Sequence, residues 1–293
     1  VKIALYSTEI KEDYIPIFKR IFQVLDEANV GILLPMSIKS ELNAHLGAEL
    51  RDYKTFSTDC ASCDNVDFLL SIGGDGTFLS AVPLSLEKMI PIVGINCGRL
   101  GFLADITTEN LEESLLQLIN GDFQLEKRSM LQLVDPPDLF GNFNFAVNEL
   151  TVHKLDNSSM IKIQTHINGE FLATYWADGL IIATPTGSTA YSLSVGGPIV
   201  TPNLSGLVIT PIASHNLTVR PVIVPDDVEI ELTIEGRGNQ FRISVDHRSV
   251  PLDFSSSIKI KKAAVTVPVV KLNGHTFYST LRNKMMWGAD KRN

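Results

Sequence analysis

Around residue 126 the chain changes its rhythm, and that change limits the folds open to it more than any other feature. Over the first ~110 residues, short apolar runs alternate with amphipathic stretches. Residues 2–6, 30–34, 67–72 and 91–96 read as strands. Residues 12–28 put Ile15, Phe18, Ile21, Phe22 and Leu25 on one helical stripe. Residues 79–86 and 110–119 read as further helices, the second stopped by Gly121. Such alternation predicts a parallel sheet with helices on both faces. Beyond residue 126 and up to 268, period-two or continuous apolar runs take over, at 145–152, 161–167, 171–176, 180–183, 207–211, 228–234, 240–245 and 257–261. Asn168-Gly169 between two of these runs predicts a type I′ hairpin, and residues 236–239 predict another turn. The expected architecture is α/β + β. Residues 1–126 form an α/β domain, 127–270 a β-rich, sandwich-like domain, and 271–293 a basic tail whose helix returns to the first domain.

A chain of 293 residues with 44% apolar content can bury two such cores. Its net charge of −8 argues against a dedicated nucleic-acid binder, which works by neutralising phosphates. A few basic residues can still serve a small anionic substrate. No run of 18 apolar residues opens or interrupts the chain, so no membrane span or leader is expected. Cys60, Cys63 and Cys97 are too few for a disulfide framework. Cys60-Ala-Ser-Cys63 lacks the second ligand pair of a structural zinc site and reads as plain intracellular thiols, which points to the cytoplasm.

Two stretches carry chemistry. The strand at 67–72 runs into Gly73-Gly74-Asp75-Gly76-Thr77. As a turn this is ordinary; as a site, the glycines clear space for a phosphate beside a carboxylate. No lysine follows as a Walker A loop requires, and the glycines miss the dinucleotide fingerprint. The second stretch is the strand 180–183 followed by TPTGSTAYSLSVGGP. Its hydroxyls and bare backbone suit phosphate or ribose contacts, and Ser188 or Thr189 is a candidate cap for a helix starting near Ala190. It lacks the G-x-S-x-G of a hydrolase elbow. Between the two lies Asn148-Glu149, polar within an apolar run, where a carboxylate is costly unless paired or exposed.

Taken together, GGDGTFL (73–79), GRLGFL (98–103), NE (148–149) and DGLIIATPTGSTAYSLSVGGPIV (178–200) resemble the NAD kinases over nearly the whole chain. GGDGT alone is shared with lipid kinases and phosphofructokinases; NE with TPTGSTAYS is specific. The resemblance implies a Rossmann-like N-terminal domain, a β-rich C-terminal domain and a chain end packing back on the first. It also implies Mg²⁺-dependent phosphoryl transfer from ATP or polyphosphate to the 2′-hydroxyl of the adenosine ribose of NAD. It further implies a homodimer or homotetramer whose NAD lies between the domains, with help from a neighbouring subunit.

Carried over by position, Asp75 matches the catalytic aspartate, acting as base, metal organiser or both. Gly73, Gly74, Gly76 and Thr77 match the donor-phosphate loop, and Phe102 a wall of the adenine pocket. Asn148 and Glu149 match the ribose-diol binders. Thr186, Thr189, Ala190, Tyr191 and Ser194 match the loop along the adenine and the nicotinamide-side ribose, and Asp178 an acid near the nicotinamide end. Asp246 matches a substrate-side carboxylate, followed here by His247 where many relatives have glycine, so that its imidazole is either a substrate contact or a turn residue. Trp176-Ala177 stands where some relatives carry a basic residue, which bears on NAD against NADH. The other histidines have no ligand spacing. A lipid kinase is the competing enzyme, but the chain has no polybasic run for a membrane; a non-catalytic NAD sensor is the competing binder, against which the intact Asp75 argues.

Overall fold

The computed structural model describes residues 1–47, 51–57, 64–98, 101–155, 159–274 and 276–288. The CxxC pair, Cys60 and Cys63, and His275 lie outside the described residues. Two compact units emerge, 1–127 with 267–293, and 128–266, against expected boundaries at 126 and 270.

Unit 1 runs β1 (Lys2–Tyr6), α1 (Ile15–Glu27), β2 (Gly31–Pro35), α2 (Met36–Leu46), β3 (Lys54–Phe56), β4 (Phe68–Gly73), α3 (Asp75–Lys88), β5 (Ile92–Asn96), β6 (Ile106–Thr107), α4 (Leu111–Asn120) and β7 (Phe123–Arg128). Its sheet has the order β3-β2-β1-β4-β5, then the returning strand Val267–Leu272, then β7, with β6 alongside β5. The pairs from β3 through to the returning strand are parallel. Phe18, Leu42 and Leu115 from α1, α2 and α4 share one buried cluster with Leu5, Leu34, Leu70 and Ile95 of the strands. Helix α2 escapes a periodicity reading because it buries only Ile38, Leu42 and Leu46, one apolar residue per turn. Helix α3 begins at Asp75, four residues before the expected start at 79, so the carboxylate sits in the first turn, where the helix dipole favours an anion.

Unit 2 continues with β8 (Leu131–Asp135), β9 (Phe145–Ala146), β10 (Glu149–Lys154), β11 (Ile161–Ile167), β12 (Glu170–Ala177), β13 (Gly179–Ala183), α5 (Tyr191–Ser194), β14 (Gly206–Ile212), β15 (Val222–Pro225), β16 (Ile230–Glu235), β17 (Gln240–Val245), β18 (Arg248–Asp253) and β19 (Ser257–Lys262). The returning strand is β20, and helix α6 (Phe277–Met285) follows it in unit 1. Two antiparallel sheets, β15-β14-β13-β10-β17-β18 and β12-β11-β16-β19-β8-β9, enclose one core. Leu150, Leu180 and Ile243 of the first sheet share that core with Ile163, Leu232 and Ile258 of the second. Asn168 (φ 50°) and Gly169 (φ 80°) make the β11–β12 turn with both residues left-handed, as a type I′ hairpin requires.

One expected strand is broken. Residues 145–152 form β9 and β10 with Val147 and Asn148 unpaired between them. The N–H groups of Val147, Asn148 and Glu149 go instead to the Asp246 carboxylate at 2.9, 2.8 and 3.2 Å. The expected cap is also replaced. Ser188 is buried, donating to Pro185 O and accepting from Val200 N–H, while Ala190 opens α5 with no side-chain cap.

Candidate functional site

In unit 1 the site grows from the end of β4. Gly73 has φ +154°, and a Cβ there would overlap the Thr77 side chain. Among the described residues, a Cβ on Gly74 or Gly76 would meet nothing within 4 Å, which leaves their backbone open to a ligand. Thr77 Oγ1 is 3.4 Å from Thr8 Oγ1. The Asp75 carboxylate is gripped by a second segment: Oδ2 accepts the Phe102 N–H at 2.9 Å, and Oδ1 accepts those of Leu103 and Ala104 at 3.1 Å each. A carboxylate offers about four acceptor positions, so one is left for chemistry. Gly101 has no room for a Cβ because the carboxylate occupies that space. The half-buried Phe102 ring faces Phe277 at 6.2 Å between centroids, and Lys284 Nζ stands 4.4 Å from its centre. The resemblance assigns Phe102 to a wall of the adenine pocket; the backbone donors at 102–104 carry no motif signal of their own beyond the glycine at 101.

In unit 2 the antiparallel register gathers the other residues at one sheet edge. Glu149 pairs with Ala183 and Leu150 with Val245, so the start of β10, the end of β13 and the end of β17 coincide. Thr184 ties them: its Oγ1 donates to Val147 O at 2.5 Å and accepts the Gly187 N–H at 3.1 Å, and its N–H donates to Asn148 O at 2.8 Å. A Cβ on Gly187 would overlap the Asn148 backbone. Asn148, Glu149, Thr186, Thr189, Ala190, Tyr191 and Asp246 therefore form one cluster. Its polar inventory is uneven: Glu149 Oε2 and Thr186 Oγ1 are buried with no partner among the described residues. Burial first, then the Asp246 charge, push the Glu149 carboxyl up to about 8, against the pull of the Tyr191 N–H. Burial also raises Asp246, although three N–H groups and Arg248 oppose it. Arg248, which no motif marked, donates to Phe143 O and Phe145 O and lies 4.8 Å from the centre of the Phe143 ring.

Of the remaining expected residues, one sits apart and two lie exposed at the margin of the cluster. Asp178 lies before the far end of β13 and pairs with Lys154 at 2.6 Å. Ser194 is exposed at the end of α5, and His247 is exposed on the β17–β18 turn beside Asp246. Cys97 is a free thiol raised to about 12 by burial. Among the described residues no group of three His, Cys, Asp or Glu could hold a metal ion, and no helix is long and apolar enough to cross a membrane.

A carboxylate at a glycine-opened helix start, beside an α/β sheet, and a hydroxyl-rich loop on a β sandwich define a phosphotransferase that handles nucleotides. The ATP-NAD kinase N-terminal domain model matches residues 3–123, and the ATP-NAD kinase C-terminal domain model matches 147–272. The chain belongs to the ATP-NAD kinase family. It is 46% identical to the NAD kinase of Flavobacterium johnsoniae over 100% of both chains. It is 43% identical to that of Cytophaga hutchinsonii over 99% of both. Among solved structures, an NAD kinase from Archaeoglobus fulgidus in complex with ATP is 27% identical, with a TM-score of 0.74, covering 98% of this chain and 99% of that one. Yeast NADH kinase complexed with NADH shares the fold at 21% identity and a TM-score of 0.83, covering 99% of this chain and 88% of that one. The chain is an enzyme that phosphorylates NAD.

Proposed function

We propose that the chain transfers the terminal phosphoryl group of ATP to the 2′-hydroxyl of the adenosine ribose of NAD, with Asp75 as the base. The observation that carries this is the Asp75 carboxylate, fixed by three N–H groups at the first turn of α3 with one acceptor position left. That position receives the 2′-hydroxyl proton as the 2′-oxygen bonds to phosphorus and the bond from phosphorus to the ADP oxygen breaks. The open backbone at Gly74 and Gly76, with Thr77, receives the donor phosphates at the positive end of the helix. In unit 2, Asn148 and a protonated Glu149 hold ribose hydroxyls, with Thr186, Thr189, Ala190, Tyr191 and Ser194 along the base and second ribose. Asp246 sets the Asn148-Glu149 backbone, and His247 offers an exposed imidazole beside it.

A divalent cation, Mg²⁺ in this reading, fits the donor set as a substrate-borne ion. Mg²⁺ is commonly held by substrate phosphates and waters with few protein carboxylates, so it would arrive on the ATP phosphates beside Asp75, whose remaining acceptor position stays with the 2′-hydroxyl. When bound, it supplies neutralisation of phosphoryl charge. The reading extends to polyphosphate as an alternative donor, to a cytoplasmic location and to a homodimer or homotetramer. Exposed Phe171 and Trp176 on edge strand β12 favour self-association. Asp178 belongs to the nicotinamide end, held by Lys154.

The test is turnover with NAD, Mg²⁺ and ATP, reading NADP with an NADP-specific dehydrogenase, and Asp75→Asn alongside. Loss of a positioned base costs on the order of 10²–10⁴ in rate. An Asp75→Asn enzyme at wild-type rate removes Asp75 from the base role; no NADP from either donor removes the reaction.

A further inference from the structure

The segment that grips Asp75 is itself anchored, and its anchor comes from the far end of the chain. Phe102, Leu103 and Ala104 donate to Asp75; the next residue, Asp105, forms an ion pair with Lys271 of β20. Both partners are nearly buried, their side chains 11% and 8% exposed. Lys271 Nζ holds Asp105 Oδ2, while Asp105 Oδ1 is buried and finds no partner among the described residues. Among the described residues, Lys271 alone holds this carboxylate. Beneath it, a Cβ on Gly94 of β5 would come within 2.6 Å of Ala104 Cα, so the segment is pressed onto the sheet where Lys271 reaches it. Lys271 lies two residues past Val269, which pairs with Ile92, two residues before Gly94.

We propose that Lys271 and Asp105 are positioning residues for phosphoryl transfer: their ion pair fixes the 102–104 backbone and thereby aims the Asp75 carboxylate. The inference rests on Asp75 acting as base. Removing Lys271 leaves a buried carboxylate uncompensated. That carboxylate must then swing toward solvent or take a proton, and in either case the three donors one to three residues upstream lose their anchor. A base displaced by a fraction of an ångström loses rate while substrate binding, made elsewhere, persists. The strand pairing of β20 thus does catalytic service as well as closing the sheet.

The experiment measures kcat and KM for NAD in the full-length protein for Lys271→Met, Lys271→Arg and Asp105→Asn, each with and without Asp75→Asn. Thermal melting reports the folded fraction. Expected are a 10–100-fold loss of kcat in Lys271→Met with KM within about threefold, and partial recovery in Lys271→Arg. The penalty of Asp75→Asn should shrink in the Lys271→Met background, because the base is already misaimed. A loss that merely tracks unfolding leaves that penalty intact and overturns the proposal, as does a Lys271→Met enzyme at wild-type rate. If Lys271→Met does not fold, Asp105→Asn, which keeps the volume, decides by the same criteria. An Asp75→Asn enzyme that is itself fully active instead strikes the base reading, a result distinguishable from failure of the anchor alone.

Discussion

Asp246 Oδ1 accepts the Glu149 backbone N–H at 3.2 Å, yet the Glu149 side chain, raised in part by the Asp246 charge, keeps its Oε2 buried without a partner among the described residues. One acid therefore builds the backbone that holds the other in an environment hostile to its charge. With the folded-state value near 8, Glu149 is mostly protonated at neutral pH and can donate a hydrogen bond, which an ionised carboxylate cannot.

The sign of the resulting pH dependence follows from linkage. The folded-state value lies above the unfolded one of 4.5, so between 4.5 and about 8 the folded protein binds more protons. Stability from this group is complete below 4.5 and is lost as pH rises through 8. The whole window is worth on the order of 5 kcal/mol. Glu149→Gln, neutral at every pH, should melt higher than wild type at pH 9 and by a much smaller margin at pH 5. Parallel melting curves for the two proteins across that range would show that Glu149 is not held neutral.

Much of this site was legible in the sequence because glycine and proline punctuation sits where the strands end. The Asp75 turn, the Asn148-Glu149 pair and the 186–191 loop all announce themselves by residue type. What joins them does not. The grip on Asp75 comes from backbone N–H groups at 102–104, and a backbone donor leaves no residue signature beyond Gly101 making room. The break at Val147-Asn148 has the same cause: a carboxylate nearly a hundred positions away replaces the ladder partners, while the apolar pattern runs on undisturbed. The early start of α3 was hidden because three glycines depress helix propensity across a turn that the dipole and the Asp75 contacts stabilise.

Asp246 should behave as a structural acid for the NE segment. Its carboxylate serves three donors, and the single amide oxygen that Asp246→Asn leaves in its place can serve no more than two of them well. Leaving a buried N–H unpaired costs roughly 1–3 kcal/mol. Urea unfolding should show that loss, and KM for NAD should rise with kcat less affected. A variant with wild-type stability would mean water replaces the carboxylate without cost.

Gly187 is required by contact rather than by turn geometry. A Cβ at that position overlaps the Asn148 backbone, so Gly187→Ala must push the 148–149 segment out of register with β13. Overpacking of this kind costs roughly 1–3 kcal/mol. NAD binding should weaken about tenfold or more, on the order of 1.4 kcal/mol, while unit 1 is untouched and ATP binding by the enzyme is preserved. Calorimetric titration with each nucleotide separates the two. Equal weakening of both would point to general unfolding instead.

Gly101 offers the complementary test in unit 1. Its missing Cβ is what lets the chain bring three N–H groups onto Asp75, since the added methyl would occupy the carboxylate's own place. In Gly101→Ala the carboxylate keeps its chemistry but loses its position. If Asp75 acts as a fixed base, kcat should fall on the order of 10²–10⁴, approaching the Asp75→Asn value, and combining the two substitutions should add little. If Asp75 works merely as a charge near the phosphates, a displacement of this size should cost less than tenfold, on the order of 1.4 kcal/mol. Steady-state rates for the two single variants and the double variant, at saturating NAD and ATP, distinguish a positioned base from a diffuse field.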